Sequence, residues 1–385
     1  MRGKPLLLLL AALRGIQMHM GVLWQPFALS LGVPMRAVGG LESLRDLISY
    51  SAQPFLGWAS DSQGRKRFLL LRELSLVLAL VCFLFAGSWE LLLMGFILIG
   101  LSAAAEPVWS SLVAESSGAG GLGRTYSYVN ASYMAMGLFA PLGAGLIAST
   151  YGYRTAFMVS ILVGLTALYL IARHYHDRQR LRGGLNRPHI RVLPPPHLRG
   201  FYVAMAVDAF SFGLGSRILF GMLSKSYGYS PSMLGLMASV MTATWAASAI
   251  PIGRIVDRAG YRRLLIISQL ISCHLLLGIL ISKRLEFLLL VHVLWGVSAA
   301  LWVPAEQAWI AVRSKPGDLG FSIGSYMASR GLIAFPAPFI GGLVYDAFGF
   351  DIPILVNLLG AVIDVILIAT LVEKSNQTLD LDHGG

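Results

Sequence analysis

The sequence predicts an all-α membrane protein whose twelve transmembrane helices form two pseudo-symmetric six-helix bundles. Three observations point there: an apolar composition, a series of membrane-length apolar segments, and a second half that repeats the first. Of 385 residues, 56% are hydrophobic and 13% are charged. That charged share is about half of what a soluble domain carries, too little to cover a globule of this length. The 42 glycines suit close packing of helices in a membrane.

The elements follow in order. Arg2 and Lys4 before the run Pro5–Leu13 have the look of a secretory leader. Arg14 interrupts that run, and the apolar stretch continues to about Leu31, long enough to span a bilayer. It is therefore taken as the first helix. The twelve predicted helices cover 5–31, 37–58, 68–87, 90–114, 126–150, 155–175, 199–223, 231–256, 264–282, 287–312, 321–345 and 352–372. Residues 174–198 form a basic, proline-containing linker. It separates an N-terminal bundle, 1–173, from a C-terminal bundle, 199–373, followed by a tail, 374–385.

Loop charges set the orientation. Alternate loops hold Arg65, Lys66, Arg67, Arg124, the run Arg178–Arg199, Arg258, Arg262, Arg263, Arg313 and Lys315. The opposite loops hold only Arg36, Arg154, Lys225, Lys283 and Arg284. The basic loops, the linker and both termini are expected in the cytoplasm, with the chain in the cell inner membrane. The net charge of +11 thus reflects topology, and nucleic acid is not an expected partner. The linker either meets anionic lipid headgroups or is a solvated connection. Cys82 and Cys273 lie in different predicted helices, so no disulfide is expected. No ATP-binding loop of the form Gly-x4-Gly-Lys-Ser/Thr occurs, and neither does His-x-x-Glu-His or Cys-x-x-Cys. No cofactor or metal is expected, and an enzyme is the least favoured class. A monomer surrounded by membrane lipids is expected.

The repeat is visible residue by residue. Gly57-x3-Asp61-x2-Gly64-Arg65-Lys66-Arg67 returns as Gly253-x3-Asp257-x2-Gly260-Tyr261-Arg262-Arg263, an offset of 196 residues. Ser30-x-Gly32 returns as Ser226-x-Gly228. Ala140-Pro141-x3-Gly145 returns as Ala337-Pro338-x3-Gly342, and Tyr151-Gly152-Tyr153 as Phe348-Gly349-Phe350, both at 197. Repetition of a whole half marks a two-bundle transporter.

The loop after helix 2 resembles the signature loop of the major facilitator superfamily, and its second copy lies where that family repeats it. Tyr261 stands in place of the first basic residue there. The resemblance covers essentially the whole chain and implies alternating access between two bundles. It implies that Gly57, Asp61, Gly64 and Arg65, with Gly253, Asp257 and Arg262, form a latch between the halves at the inner side. The alternative is helix capping and topology alone. Helix 5 carries Gly137-x3-Pro141-x-Gly143-x-Gly145, similar to a motif of the family's antiporters, with Ala140 departing from it. Export is thereby favoured over uptake. Close helix packing explains the same residues.

Ionisable residues inside a membrane are costly and so become functional candidates. Helix 1 has Arg14; helix 2 has Glu42, Arg45 and Asp46; helix 4 has Glu106. Helix 7 has Asp208 and Arg217, helix 10 Glu306, helix 11 Arg330 and helix 12 Asp364. Arg14, Glu106, Asp208 and Arg330 each lie about eight to ten residues from the inner end. That is roughly 12–15 Å deep, near the bilayer midplane. The resemblance places helices 1, 4, 7 and 10 around a central cavity. A carboxylate held in an apolar cavity can exchange protons near neutral pH. Glu106 and Glu306, in matching Ala-Glu-x-x-Trp segments, are the candidates, with Glu106 preferred.

Gln17 shares a polar stripe with Arg14. Trp295, Trp302 and Trp309 recur every seven residues beside Glu306. They are either a wall for an amphipathic solute or core packing. His19 and His274 are expected to be structural, and Asp364 either packs or couples ions. Asp46 and Arg330, at matching depth, are expected to pair across the bundles in one conformational state and to separate in the other. The rival pairs are Asp46–Arg14 and Arg330–Asp208. The leading expectation is a proton-coupled secondary transporter of a small organic solute. The alternatives are uptake of an organic anion bound by Arg14 and Arg330, a lipid or lysolipid flippase, and a transport-dead sensor or scaffold.

Overall fold

A computed structural model describes residues 4–116, 122–177, 198–313 and 319–372. Twelve helical spans run through these residues, and we number them α1 to α12. The first bundle holds α1 (Lys4–Ser30), α2 (Met35–Gln63), α3 (Arg65–Phe85), α4 (Trp89–Ser116), α5 (Leu122–Tyr151) and α6 (Tyr153–His174). The second holds α7 (Arg199–Tyr227), α8 (Pro231–Ala259), α9 (Tyr261–Ile281), α10 (Leu285–Arg313), α11 (Leu319–Ala334 continued by Ala337–Phe348) and α12 (Asp351–Leu371). Ten of the twelve contain stretches long and apolar enough to cross a membrane. The other two, α2 and α8, have 29 residues each, and α2 carries Arg36, Glu42, Arg45, Asp46 and Asp61. The sequence placed α2 at 37–58. The structure extends it to Gln63, and α8, placed at 231–256, runs to Ala259; each helix continues until the positive-φ glycine that ends it.

Four spans are broken. α1 tightens into a 3-10 turn at Met20–Leu23, and α7 does so at Ser216–Ile218. α4 breaks at Ala105, two residues before Pro107, whose missing N–H cannot close the ladder. α11 breaks before Ala337, at Phe335 and Pro336. Breaks of this kind are tolerated in a membrane where neighbouring helices take up the freed backbone groups.

The repeat is written in the backbone. The residues with positive φ among those described are Gly32, Gly64, Gly152, Gly228, Gly260 and Gly349. They form three pairs at the offsets 196, 196 and 197. Gly64 (φ 94°) and Gly260 (φ 82°) end α2 and α8 with the same sharp turn. A side chain would strain that turn.

The bundles meet along α2 with α11 and α5 with α8, with the last turns of α1 on those of α7. Glycines permit the approach. Gly39 and Gly342 bring α2 and α11 backbone to backbone, and Gly145 and Gly235 do the same for α5 and α8. The apolar core shows which end is closed. One cluster, with Trp24, Phe27, Met35, Ile218, Met222 and Tyr345, joins both bundles at the end away from the basic loops. At the basic-loop end the cores are separate. Leu6 to Ile171 belong to the first bundle alone, and Leu198 to Val372 to the second.

Candidate functional site

The charges gather in three clusters. In the first bundle, Arg14 lies nearly buried and its Nη2 contacts Glu106 Oε2 at 2.5 Å. Its guanidinium also sits 4.2 Å from the centre of the Trp109 ring. The Glu106 side chain is 50% exposed, so a half-open carboxylate rests on a buried cation. The break at Ala105 sets Glu106 at the first position of a new helical segment, where free N–H groups favour negative charge. Behind it, Arg72 pairs with Glu73, and Gln17 Nε2 donates to Glu73 Oε2 at 3.2 Å. Two cations meet two carboxylates.

In the second bundle, Arg330 pairs with Asp208 at 2.8 Å and with Glu306 at 3.0 Å. The Tyr326 hydroxyl donates to Glu306. Gln269 Nε2 donates to Asp208 Oδ1 at 3.0 Å and to Asp364 Oδ2 at 2.8 Å.

The third cluster crosses between bundles. Arg217, in the broken turn of α7, meets Asp46 at 2.9 Å and Glu42 at 3.4 Å. Arg45 meets the same two acids at 2.9 and 3.0 Å. Gln25 donates to the Arg217 carbonyl at 2.9 Å and accepts from the Gly221 N–H at 2.8 Å. Asp346 accepts from the Arg36 N–H at 3.0 Å and pairs with Lys225 at 3.3 Å. All of these lie toward the closed end.

In this state, open at the basic-loop end, Asp46 pairs across the bundles with Arg217 and not with Arg330. Arg330 pairs with Asp208 inside its own bundle, as the rival reading had it. Equal depth along two helices did not decide the pairing. The turn at Ser216–Ile218 did, by bringing the α7 guanidinium to α2. The tryptophan row also divides. Trp309 is 1% exposed, stacked on Phe201 at 4.0 Å, and belongs to the core. Trp302 is partly buried against that core, and Trp295 packs near Phe212 and His292. The Glu306 side chain is buried and Glu106 is the accessible one of the two.

The signature loop binds its own bundle. Arg65 pairs with Asp61 at 2.5 Å and with Glu115 on α4 at 2.8 Å, and its Nη1 donates to Ser60 Oγ at 2.6 Å. The Lys66 N–H donates to Asp177 beyond α6 at 3.0 Å. Gly57 packs near Pro107, and a side chain at Gly64 would press on Asp177. In the second copy, Arg262 donates to the Ala369 carbonyl of α12. The surroundings of Gly253 and the side chains of Asp257 and His19 lie outside what is described, as does the linker stretch 178–197. With the basic-loop end open, the described contacts of the loop fasten helices within each half.

Sequence reasoning passed over Arg72, Glu73, Gln269 and Tyr326. Arg72 and Glu73 are close enough to the start of α3 to resemble headgroup-level charges, yet they are 6% and 3% exposed. The repeat offers a signal, since Gln269 follows Glu73 by 196 residues and both face the partner cluster of their own bundle.

The sequence matches the profile of the Major Facilitator Superfamily over residues 6–214 and 201–382. The chain belongs to the major facilitator superfamily. It is thus a multi-pass secondary transporter and not an enzyme. Among its relatives is multidrug resistance protein MdtG of Citrobacter koseri, 25% identical over 318 residues, covering 80% of this chain and 78% of the relative. MdtG of a Rahnella species is 26% identical over 320 residues, covering 80% and 77%. The fold also matches solved transporters. The nucleoside transporter NupG aligns with a TM-score of 0.74 at 12% identity, covering 96% of this chain and 98% of that one. A bacterial homologue of the human lysosomal transporter Spinster, in an inward-facing and occupied conformation, gives 0.75 at 14% identity, covering 95% of each. The human organic anion transporter MFSD10 gives 0.68 at 17% identity, covering 95% and 99%.

Proposed function

We propose that this transporter exports a small amphipathic organic solute from the cytoplasm in exchange for protons, by alternating access. The observation that carries the reading is the Arg14–Glu106 pair, a half-exposed carboxylate over a buried guanidinium. Glu106 offers a cationic or neutral solute an acceptor and offers water a site for a proton. A proton on Glu106 cancels its attraction for a cation, so proton and solute compete for one place. Competition of this kind is what exchange requires. Basic loops on the cytoplasmic side make the open end the inner one. MdtG, a relative, carries the name multidrug resistance protein, which agrees with export of organic solutes. Arg14, Arg217 and Arg330 each already face a carboxylate. That speaks against the organic-anion reading, which needs a guanidinium to spare.

The test uses purified protein in liposomes, with ethidium as probe beside hits from a thermal-shift screen. Wild type should accumulate the probe against its gradient when a pH difference is imposed. Glu106→Gln, a stand-in for the protonated state, should lose that accumulation and weaken ethidium exchange at equal pH, because it removes the charge that attracts the cation. A Gln variant that still concentrates the probe under a pH difference removes Glu106 from the coupling role.

A further inference from the structure

α12 is a peripheral helix. It packs on α7, α9 and the second part of α11, and leaves Ile363 and Ile366 on its outer side 50% and 57% exposed. Its inner side holds Asp364, which is 0% exposed. A helix on the rim of a bundle has no evident need of a buried acid.

The surroundings of Asp364 are short of positive charge. From α7 comes Asp208, from α9 Gln269 and Cys273, from α10 Glu306, and from α11 Arg330 and Tyr326. Three carboxyl groups thus share one guanidinium among the described residues. Gln269 has two N–H bonds on its amide nitrogen, and it gives them to Asp208 and Asp364. Nothing remains for the second oxygen. Asp364 Oδ1 is buried and has no hydrogen-bond partner. The first bundle differs, because Arg14 and Arg72 balance Glu73 and Glu106. There the position equivalent to Gln269 is itself an acid, Glu73, with a cation of its own.

An ionised carboxylate with one neutral donor, out of reach of water, is costly. A bound proton removes that charge. We propose that Asp364 holds a resident proton for the second bundle, and that Gln269, by donating to both carboxyl groups, ties the neutral Asp364 to Asp208 of the Arg330 pair. The resident proton stands independently of the proton-coupled reading.

Infrared spectroscopy of the full chain in phosphatidylcholine nanodiscs, titrated across neutral pH, tests the proposal. Wild type should show the C=O band of a protonated carboxyl at neutral pH. The band should vanish in Asp364→Asn and persist in Glu106→Gln. In Gln269→Leu it should move to higher frequency, because the Asp364 carbonyl loses its donor. That frequency shift decides the matter even where Asp364→Asn fails to fold. A band unchanged in both variants, or none in wild type, overturns the proposal. So does a band that appears in choline buffer and is lost when sodium replaces choline, since the site would then hold a metal cation. A band that behaves as expected in a protein showing no pH-driven movement of ethidium keeps the resident proton and removes the coupled reading.

Discussion

Arg217 fastens the closed end of the molecule. It is the cation of the second bundle that reaches two acids of the first, Asp46 and Glu42. These contacts exist only while the bundles meet there. Arg217→Gln should therefore weaken the present state by on the order of 1–3 kcal/mol and shift the balance toward the opposite state roughly 5- to 150-fold. Spin labels on Trp89→Cys and Phe348→Cys, in a background with Cys82 and Cys273 changed to Ser, report the separation at that end. A longer distance in the variant is the expected result, and an unchanged distribution contradicts the assignment. The residue scale also shows the limit of the sequence. Arg14, Asp46, Glu106, Asp208, Glu306 and Arg330 were legible as candidates because charge inside a membrane demands a reason. Of their pairings, Arg330–Asp208 was among those the sequence offered, whereas Asp46–Arg217 was not, because it depends on the broken turn of α7. Glu106 and Glu306 share one local pattern, yet one is half exposed and the other nearly buried.

At the scale of the element, the glycine and proline motif of α5 has a packing explanation. Gly145 meets the backbone of Pro231 on α8, and Gly235 of α8 meets the backbone of Pro141 on α5. A methyl group at Gly145 would collide with that backbone, whereas Gly143 faces open space. Gly145→Ala should cost about 1–3 kcal/mol by overpacking and should slow ethidium transport. Gly143→Ala, two residues away in the same motif, should leave transport near wild type. Equal loss in both variants would point to a role beyond packing. The symmetry-related contact of Gly342 on Met35 fits the same account, because the repeat places a glycine at both bundle interfaces. The order of the helices was readable from apolar runs, and the turns at Gly64 and Gly260 from the repeated loop. The continuation of α2 to Gln63, of α8 to Ala259 and of α7 to Tyr227 was not, because these last turns are polar and lie beyond the apolar runs.

For the whole molecule, the architecture implies two end states that share one set of helices. One apolar cluster joins the bundles at the closed end, and two separate clusters hold them at the basic-loop end. Alternating access reverses that asymmetry; in the proposed exchange, the solute and the proton would be admitted in turn to the Arg14–Glu106 site. The sequence carried the two-bundle plan in its 196-residue repeat, whereas the exposure of Glu106, on which the proposed substrate class rests, was visible only in the structure. Exchange of solute for protons is the central claim. It is tested most directly by recording the internal pH of proteoliposomes loaded with a pH-sensitive dye under an imposed pH difference. Addition of ethidium should dissipate the pH difference through wild-type protein and leave it intact through Glu106→Gln. Ethidium movement through wild type with no accompanying proton flux would contradict the account.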